Sequence, residues 1–300
     1  MENLSNTSEK KLDKKDLKAV VIGKGPAGIS AAIYLLRAGF PVDIIGKDYG
    51  ALDKADKVEN YYGFAQPVSG RELIDEGVKQ AKRLGANVIE DEVVGISFED
   101  KLAISTKSRK FKADALIIAT GTSRPAPNIK GIKEYEGRGI SYCAVCDAFF
   151  YRGKKVAVIG DSDYALHEAM ELSQAASQII LLTNGKKPQV SFPQNIKIEE
   201  AKILEIKGDD KVNKVVLADK EIDIDGIFVA SGVAGSADFA RKLGLQLNNN
   251  KIVVDENQFT GNPGIFAAGD CTGGLLQISV AVGEGAVAGT SAVKYLRTLL

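Results

Sequence analysis

Residues 17–28 read LKAVVIGKGPAG. Leu17 to Gly23 is a short apolar strand, and Gly23, Lys24, Gly25, Pro26, Ala27 and Gly28 form the turn after it. Each glycine has a physical task. Gly23 permits the tight turn, Gly25 lets a pyrophosphate approach the backbone, and Gly28 lets helix and strand pack closely. Apolar residues then recur at helical spacing to Ala38, and PVDIIG, ending at Gly46, is a second strand. Strand, glycine turn, helix and strand make a βαβ unit, so the fold class is α/β with a nucleotide-binding turn at its start. An acid at the end of the second strand would hold a ribose; that place is Gly46, with Asp48 nearby.

Outward from this unit, residues 71–85 form an amphipathic helix that stops at a glycine. Alternation from Ala86 to Lys112 predicts a few antiparallel strands, and DALIIATG (114–121) a buried strand. Past Arg124-Pro125 the pattern begins again. KKVAVIG (154–160) is a strand, 163–175 a helix, QIILLT (178–183) a strand, and short strands lead to DGIFVASG (225–232). DALIIATG and DGIFVASG have the same strand-and-glycine ending, so one architecture occurs twice. GIFAAGD (264–270) and a long helix from about Ile278 close the chain.

The expected architecture is two Rossmann-like domains of three-layer ββα type, the second inserted in the first. The first takes residues 1–125 and 233–300, with 1–16 a flexible polar tail; the second takes 126–232. The linkers cross near Pro125 and Gly232.

Lysine plus arginine equals aspartate plus glutamate, 39 each, which argues against nucleic acid as the main partner. No apolar run suits a signal peptide or a membrane span. Three cysteines in 300 residues do not suggest a secreted disulfide scaffold, so the cytoplasm is the expected compartment.

Two of the cysteines stand in SYCAVCDAFF (141–150). Cys143 and Cys146, three apart, share a face on a helical turn and can close a disulfide. A helix N-terminus there favours thiolate. Asp147 fits a proton donor to a leaving thiolate, or a helix cap. No ligand set completes a zinc site, so no metal is expected. Cys271 reads as a small buried residue, and His167 as solvent-facing or capping. Glycines in VGEGAVAG (282–289) bring the closing helix near a cofactor or simply pack it closely.

Together GKGPAG, VENYYGF (58–64), ALIIATG, GRGISYCAVCDAFFYRGKKVAVIG (137–160) and PGIFAAGD resemble the low-molecular-weight thioredoxin reductases. The resemblance covers nearly the whole chain after the tail. It implies FAD bound by Gly23, Gly25, Pro26, Ala27, Gly28, Gly46, Lys47, Leu52, Asn60, Thr120, Gly121, Gly269, Asp270, Gln277 and Ile278. It also implies a homodimer that reduces thioredoxin: Cys146 faces the flavin, Cys143 attacks the partner disulfide, and Asp147 serves as acid and base.

Two departures concern the electron donor. Where NADPH-using members carry GxGxxA, this chain has Gly160-Asp161-Ser162-Asp163-Tyr164-Ala165. A side chain and acidic groups stand where a pyrophosphate must approach, and Asp163 would repel it. Where those members clamp the 2′-phosphate with arginines, this chain has Asn184-Gly185-Lys186-Lys187-Pro188-Gln189. In the first domain, the family's longer turn is shortened to Gly50-Ala51-Leu52. The pattern is similar to the ferredoxin-dependent flavin thioredoxin reductases, which implies ferredoxin as donor and no bound NADPH. Other readings stay open at this point: an NADPH-dependent enzyme clamped by Lys186 and Lys187, a diflavin disulfide reductase, a dithiol oxidase, or a flavin-bearing redox sensor.

Overall fold

The structure, a computed structural model, describes residues 13–122, 127–232 and 234–300. From the polar stretch before the first strand, Lys14–Asp16 form a 3-10 turn capped by Asp13, and Lys14 Nζ donates to the Ala38 carbonyl at 3.2 Å. Residues 13–16 are thus pinned rather than part of a flexible tail; residues 1–12 lie outside the described residues.

The chain runs β1 (Ala19–Ile22), α1 (Pro26–Arg37), β2 (Val42–Ile45), α2 (Gly70–Arg83), β3 (Asn87–Ile89), β4 (Val93–Phe98), β5 (Leu102–Thr106), β6 (Lys110–Ala113) and β7 (Ala115–Ile118). It continues as β8 (Ile140–Ser141), α3 (Ala144–Asp147), β9 (Lys155–Ile159), α4 (Asp163–Leu172), β10 (Gln178–Leu182), β11 (Ile196–Glu199), β12 (Ile203–Gly208), β13 (Val212–Leu217), β14 (Glu221–Asp223) and β15 (Gly226–Val229). It ends with α5 (Ser236–Lys242), β16 (Leu247–Asn248), β17 (Lys251–Ile252), β18 (Ile265–Ala267) and α6 (Ile278–Arg297).

Two five-stranded parallel sheets result, in the orders β18-β7-β1-β2-β3 and β11-β10-β9-β15-β8. Each sheet has an antiparallel three-stranded companion, β4-β5-β6 or β12-β13-β14. The two halves therefore repeat one topology. Central strands such as β1, β7, β9 and β15 are apolar and buried nearly throughout, as parallel strands covered on both faces must be. We call the body built on the first sheet terminal, since it draws on both ends of the chain, and the other central.

One expectation fails at Asn87–Ile89, which pairs in parallel with β2 and so belongs to the main sheet. α2 serves as the crossover that a parallel pair requires, so antiparallel pairing starts only at β4. The linkers expected near Pro125 and Gly232 fall in part on residues 123–126 and 233, which lie outside the described residues.

α1 and α6 pack at contact distance through glycines. A Cβ on Gly285 would lie 2.2 Å from the Ala27 carbonyl oxygen, and one on Gly289 would lie 2.4 Å from that of Ala31. Close helix packing explains these two glycines of VGEGAVAG. The central body meets the terminal body where α4 lies against β4, which α5 of the terminal body also touches. One continuous cluster of buried apolar side chains includes Val20 and Leu116 of the first sheet and Val158 and Phe228 of the second.

Candidate functional site

The first glycine turn is shaped by backbone contact. Gly23 has φ +114°, and a Cβ there would lie 2.1 Å from the Ala119 carbonyl oxygen. A Cβ on Gly28 would lie 2.0 Å from the Gly23 carbonyl oxygen. Gly25, the N-cap of α1, is different: a Cβ there meets nothing within 4 Å. Pro26 supplies the first residue of the helix, and the first turn carries no acid. Unpaired N–H groups and the positive end of the helix dipole thus face open space, which suits a diphosphate.

Other expected residues gather around this turn. A Cβ on Gly269 (φ +83°) would lie 2.9 Å from Ala27 Cβ and 3.7 Å from Ala281 Cβ, so residues 269–270 and the start of α6 adjoin the first turn of α1. Gln277, the N-cap of α6 just before Ile278, accepts from Asn60 Nδ2 at 2.9 Å. Thr120 Oγ1 is buried without a hydrogen-bond partner among the described residues. Gly121 has φ +72° and open space beside it. An orphaned hydroxyl and an open glycine cradle fit a bound FAD. Gly46 is packed on Lys24, and Leu52 lies in a 3-10 turn under the start of α2. Lys47, partly exposed, pairs with Glu92 at 2.7 Å. The Asp270 carbonyl accepts from Lys251 Nζ at 2.5 Å.

Cys143 and Cys146 are joined as a disulfide, with their Cα atoms 5.3 Å apart. β8 delivers Cys143 to the N-cap of α3, where Ser141 Oγ accepts from its amide at 3.0 Å. Cys143 is 4 % exposed, while Cys146 is exposed and its Sγ lies 3.7 Å from the Arg241 carbonyl oxygen of α5. Half-buried Asp147 ends α3, its amide donating to the Cys143 carbonyl at 3.2 Å. Cys271 is wholly buried, and burial pushes its thiol pKa up to about 12, so it is inert beside the other two.

Beneath the disulfide lies Glu168, which sequence reasoning missed. Its Oε2 accepts from Ala144 N at 2.7 Å, and its Oε1 pairs with Lys242 Nζ. Burial alone would raise its pKa, but His167, Lys242 and the Ala144 amide outweigh that and hold it below the ordinary carboxylate value. His167 is neither solvent-facing nor a cap. Its side chain is 19 % exposed, because this face of α4 is packed on β4, with the imidazole against Gly95. A Cβ on Gly95 would lie 2.4 Å from His167 Nε2.

The second turn has the backbone of a nucleotide site and different contents. Gly160 is as necessary as Gly23, since a Cβ would lie 2.3 Å from the Ala230 carbonyl oxygen. Ser162 stands as N-cap of α4, but its Oγ donates to the Gly232 carbonyl at 2.6 Å. Asp161 is 3 % exposed, and its carboxylate accepts from Gln189 Nε2 at 2.9 Å and faces Lys186 Nζ at 3.3 Å. Gln189 N also donates to the Asp161 carbonyl at 2.7 Å. The loop at 184–189, expected to lack a phosphate clamp, is thus closed on the chain's own carboxylate. Asp163 is not a free repelling charge: it pairs with Lys107 of the terminal body at 2.6 Å.

The family model described as pyridine nucleotide-disulphide oxidoreductase matches residues 17–285. A thioredoxin reductase of Aquifex aeolicus (strain VF5) is 35 % identical over 300 residues, covering 92 % of each chain. Among solved structures, the atypical thioredoxin reductase TRi from Desulfovibrio vulgaris Hildenborough superposes with a TM-score of 0.89 at 40 % identity, over 94 % of this chain and 98 % of that one. A ferredoxin-flavin thioredoxin reductase from Clostridium acetobutylicum superposes with a TM-score of 0.71 at 32 % identity, over the same shares of 94 % and 98 %.

Proposed function

The chain belongs to the pyridine nucleotide-disulphide oxidoreductase family, among its thioredoxin reductases, and from that premise we propose that it reduces thioredoxin with electrons from ferredoxin rather than NADPH. Membership makes it a flavin-dependent disulfide oxidoreductase with two Rossmann-like domains, and among the described residues no helix is long and apolar enough to cross a membrane.

The observation that carries the donor is the self-filled second turn. Asp161 takes up Lys186 and Gln189, the groups best placed to meet a phosphate, and its buried negative charge opposes an incoming one. Ser162 adds a side chain where the first turn has open space.

FAD would be held by the first turn with Gly46, Lys47, Leu52, Asn60, Thr120, Gly121, Gly269, Asp270, Gln277 and Ile278, and would convert single electrons into a pair. Two reduced ferredoxins give one electron each; the two electrons and two protons open one disulfide. Donors near about −400 mV can drive a thioredoxin couple of about −270 mV. Within the turn, Cys146 is the exposed sulfur and receives the electron pair, Cys143 attacks the partner disulfide, and Asp147 returns a proton. The protein works as a cytoplasmic homodimer.

The test mixes anaerobic oxidised protein first with NADPH and then with reduced ferredoxin. Ferredoxin is expected to bleach the flavin and NADPH to leave it yellow; rapid bleaching by NADPH overturns the donor assignment. A second reading, NADPH through an unusual clamp, draws on exposed Lys187, which makes no ion pair among the described residues. The same experiment decides it.

A further inference from the structure

One carboxylate does two tasks where the two bodies meet. Glu168, 1 % exposed, holds the amide of Ala144, the residue that follows Cys143. It also pairs with Lys242, whose side chain is 0 % exposed and which ends α5 on the terminal body. Neighbouring contacts cross the same junction. His167, beside Glu168 on α4, packs its imidazole against Gly95 of β4 on the terminal body. Lys107 joins Asp163 of the central body at 2.6 Å to Glu92 of the terminal body at 3.1 Å. The Arg241 guanidinium stacks 4.5 Å from the Tyr142 ring centre. In this arrangement Cys143 is 4 % exposed, and α5 of the terminal body lies beside the disulfide turn, with the Arg241 carbonyl oxygen 3.7 Å from Cys146 Sγ.

We propose that the Glu168–Lys242 pair is a latch that holds the disulfide turn against the terminal body, and that its opening presents Cys143 to the protein substrate. This rests on the role given to Cys143 above. Glu168 touches no reacting atom; it is a positioning residue that ties the turn to the other body.

A buried ion pair suits this task because it fixes register more than it adds strength. The loss of hydration cancels much of the attraction, and both charges regain water when the bodies part. The fastening is therefore specific and easily undone. Removing one partner is another matter, because it strands the other charge in a dry site and disfavours the closed arrangement. Glu168→Gln keeps an oxygen for Ala144 N but leaves Lys242 unpaired. Glu168→Gln with Lys242→Met removes both charges and restores a closed junction.

The FAD-loaded protein is reduced and treated with iodoacetamide, labelled sites are located by peptide mapping, and small-angle scattering is recorded on unlabelled samples. Glu168→Gln and Lys242→Met are each expected to label Cys143 at least about tenfold faster than the parent and to show a larger radius of gyration. The double variant is expected to label at the parent rate or slower. Folded Glu168→Gln labelling at the parent rate overturns the latch, and so does a double variant as fast as the single ones. If Glu168→Gln does not fold, Lys242→Met and the double variant decide by the same two readouts. Labelling at Cys146 alone in every variant overturns the role given to Cys143, while the radius still judges the latch.

Discussion

The two glycine turns have one backbone and two sets of contents. Gly25 and Ser162 both cap a helix from extended backbone, with ψ −177° in each. Gly23 and Gly160 both press against a carbonyl of the neighbouring strand's end, Ala119 or Ala230. Past this the halves part company. The first turn of α1 carries no acid and opens on space, while that of α4 carries Asp163 and follows buried Asp161. The turn geometry is demanded by strand–helix packing and persists in both halves. Capacity for an anion depends on a few side chains, and those differ.

The comparison breaks most visibly if the first turn is given the contents of the second. Gly25→Asp adds a carboxylate at the N-terminus of α1 without meeting any neighbour within 4 Å. The fold is expected to persist, with the FAD-free forms differing by no more than about 0.5 kcal/mol in urea unfolding. FAD affinity is expected to fall at least about a hundredfold, because two like charges then compete for one helix end. Flavin content after gel filtration measures it; a variant that stays fully yellow places the cofactor elsewhere.

The reverse exchange sharpens the same point. Asp161→Gly with Ser162→Gly removes the internal carboxylate and frees Lys186 and Gln189. NADPH binding, followed by nicotinamide fluorescence, is expected to strengthen at least about tenfold over the parent. Equal binding by parent and variant would mean that the plug does not govern the site.

What could be read from the sequence follows the same division. LKAVVIGKGPAG and KKVAVIG identified both sheets, since a backbone requirement leaves a glycine in a fixed place within a few residues. The disulfide turn was equally legible, because Cys143 and Cys146 are local. Asn87–Ile89 was misread, since alternation over three residues does not say which neighbour a strand will take. His167 was misplaced and Glu168 overlooked for a stronger reason. Their environment comes from Gly95 and Lys242, which lie 72 and 74 residues away, and no local pattern records such a meeting. The Asp161–Gln189 bond was hidden in the same way: each residue was noticed, but as a missing phosphate contact rather than as a partner for the other.

A smaller effect is expected at Ser162 itself. Ser162→Ala removes the hydroxyl that donates to the Gly232 carbonyl at 2.6 Å, and it leaves that acceptor unsatisfied in a part-buried place. The expected cost is about 1 kcal/mol in urea unfolding, with the slope of the transition unchanged. The matching Gly25→Ala costs less, because no bond is lost there. If Ser162→Ala proves neutral, the serine does not fasten the turn to residue 232, and Asp161 alone carries the plug.

The smallest expected effect compares Ala31 with Glu168, which stand at equivalent places eight residues past Gly23 and Gly160. Both are buried, yet only one titrates. Burial raises the pKa of Glu168, but His167, Lys242 and the Ala144 amide hold it below the ordinary 4.5. A carboxylate whose folded pKa is depressed adds stability above its unfolded value and loses it as pH falls through the folded one. Glu168 is therefore expected to stabilise the central body at neutral pH and to give that up progressively below about pH 4.5. The variant with Glu168→Gln and Lys242→Met has no such group, so its urea stability should decline less steeply there than the parent's. Asp238 feels Lys242 and Glu168 in opposite senses, so removing both together disturbs it less than removing either alone, and the difference between the two curves reports chiefly on Glu168. Curves that stay parallel down to about pH 3 would show that Glu168 has no depressed pKa in the folded chain, and the α4 face would then resemble the α1 face more closely than its sequence suggests.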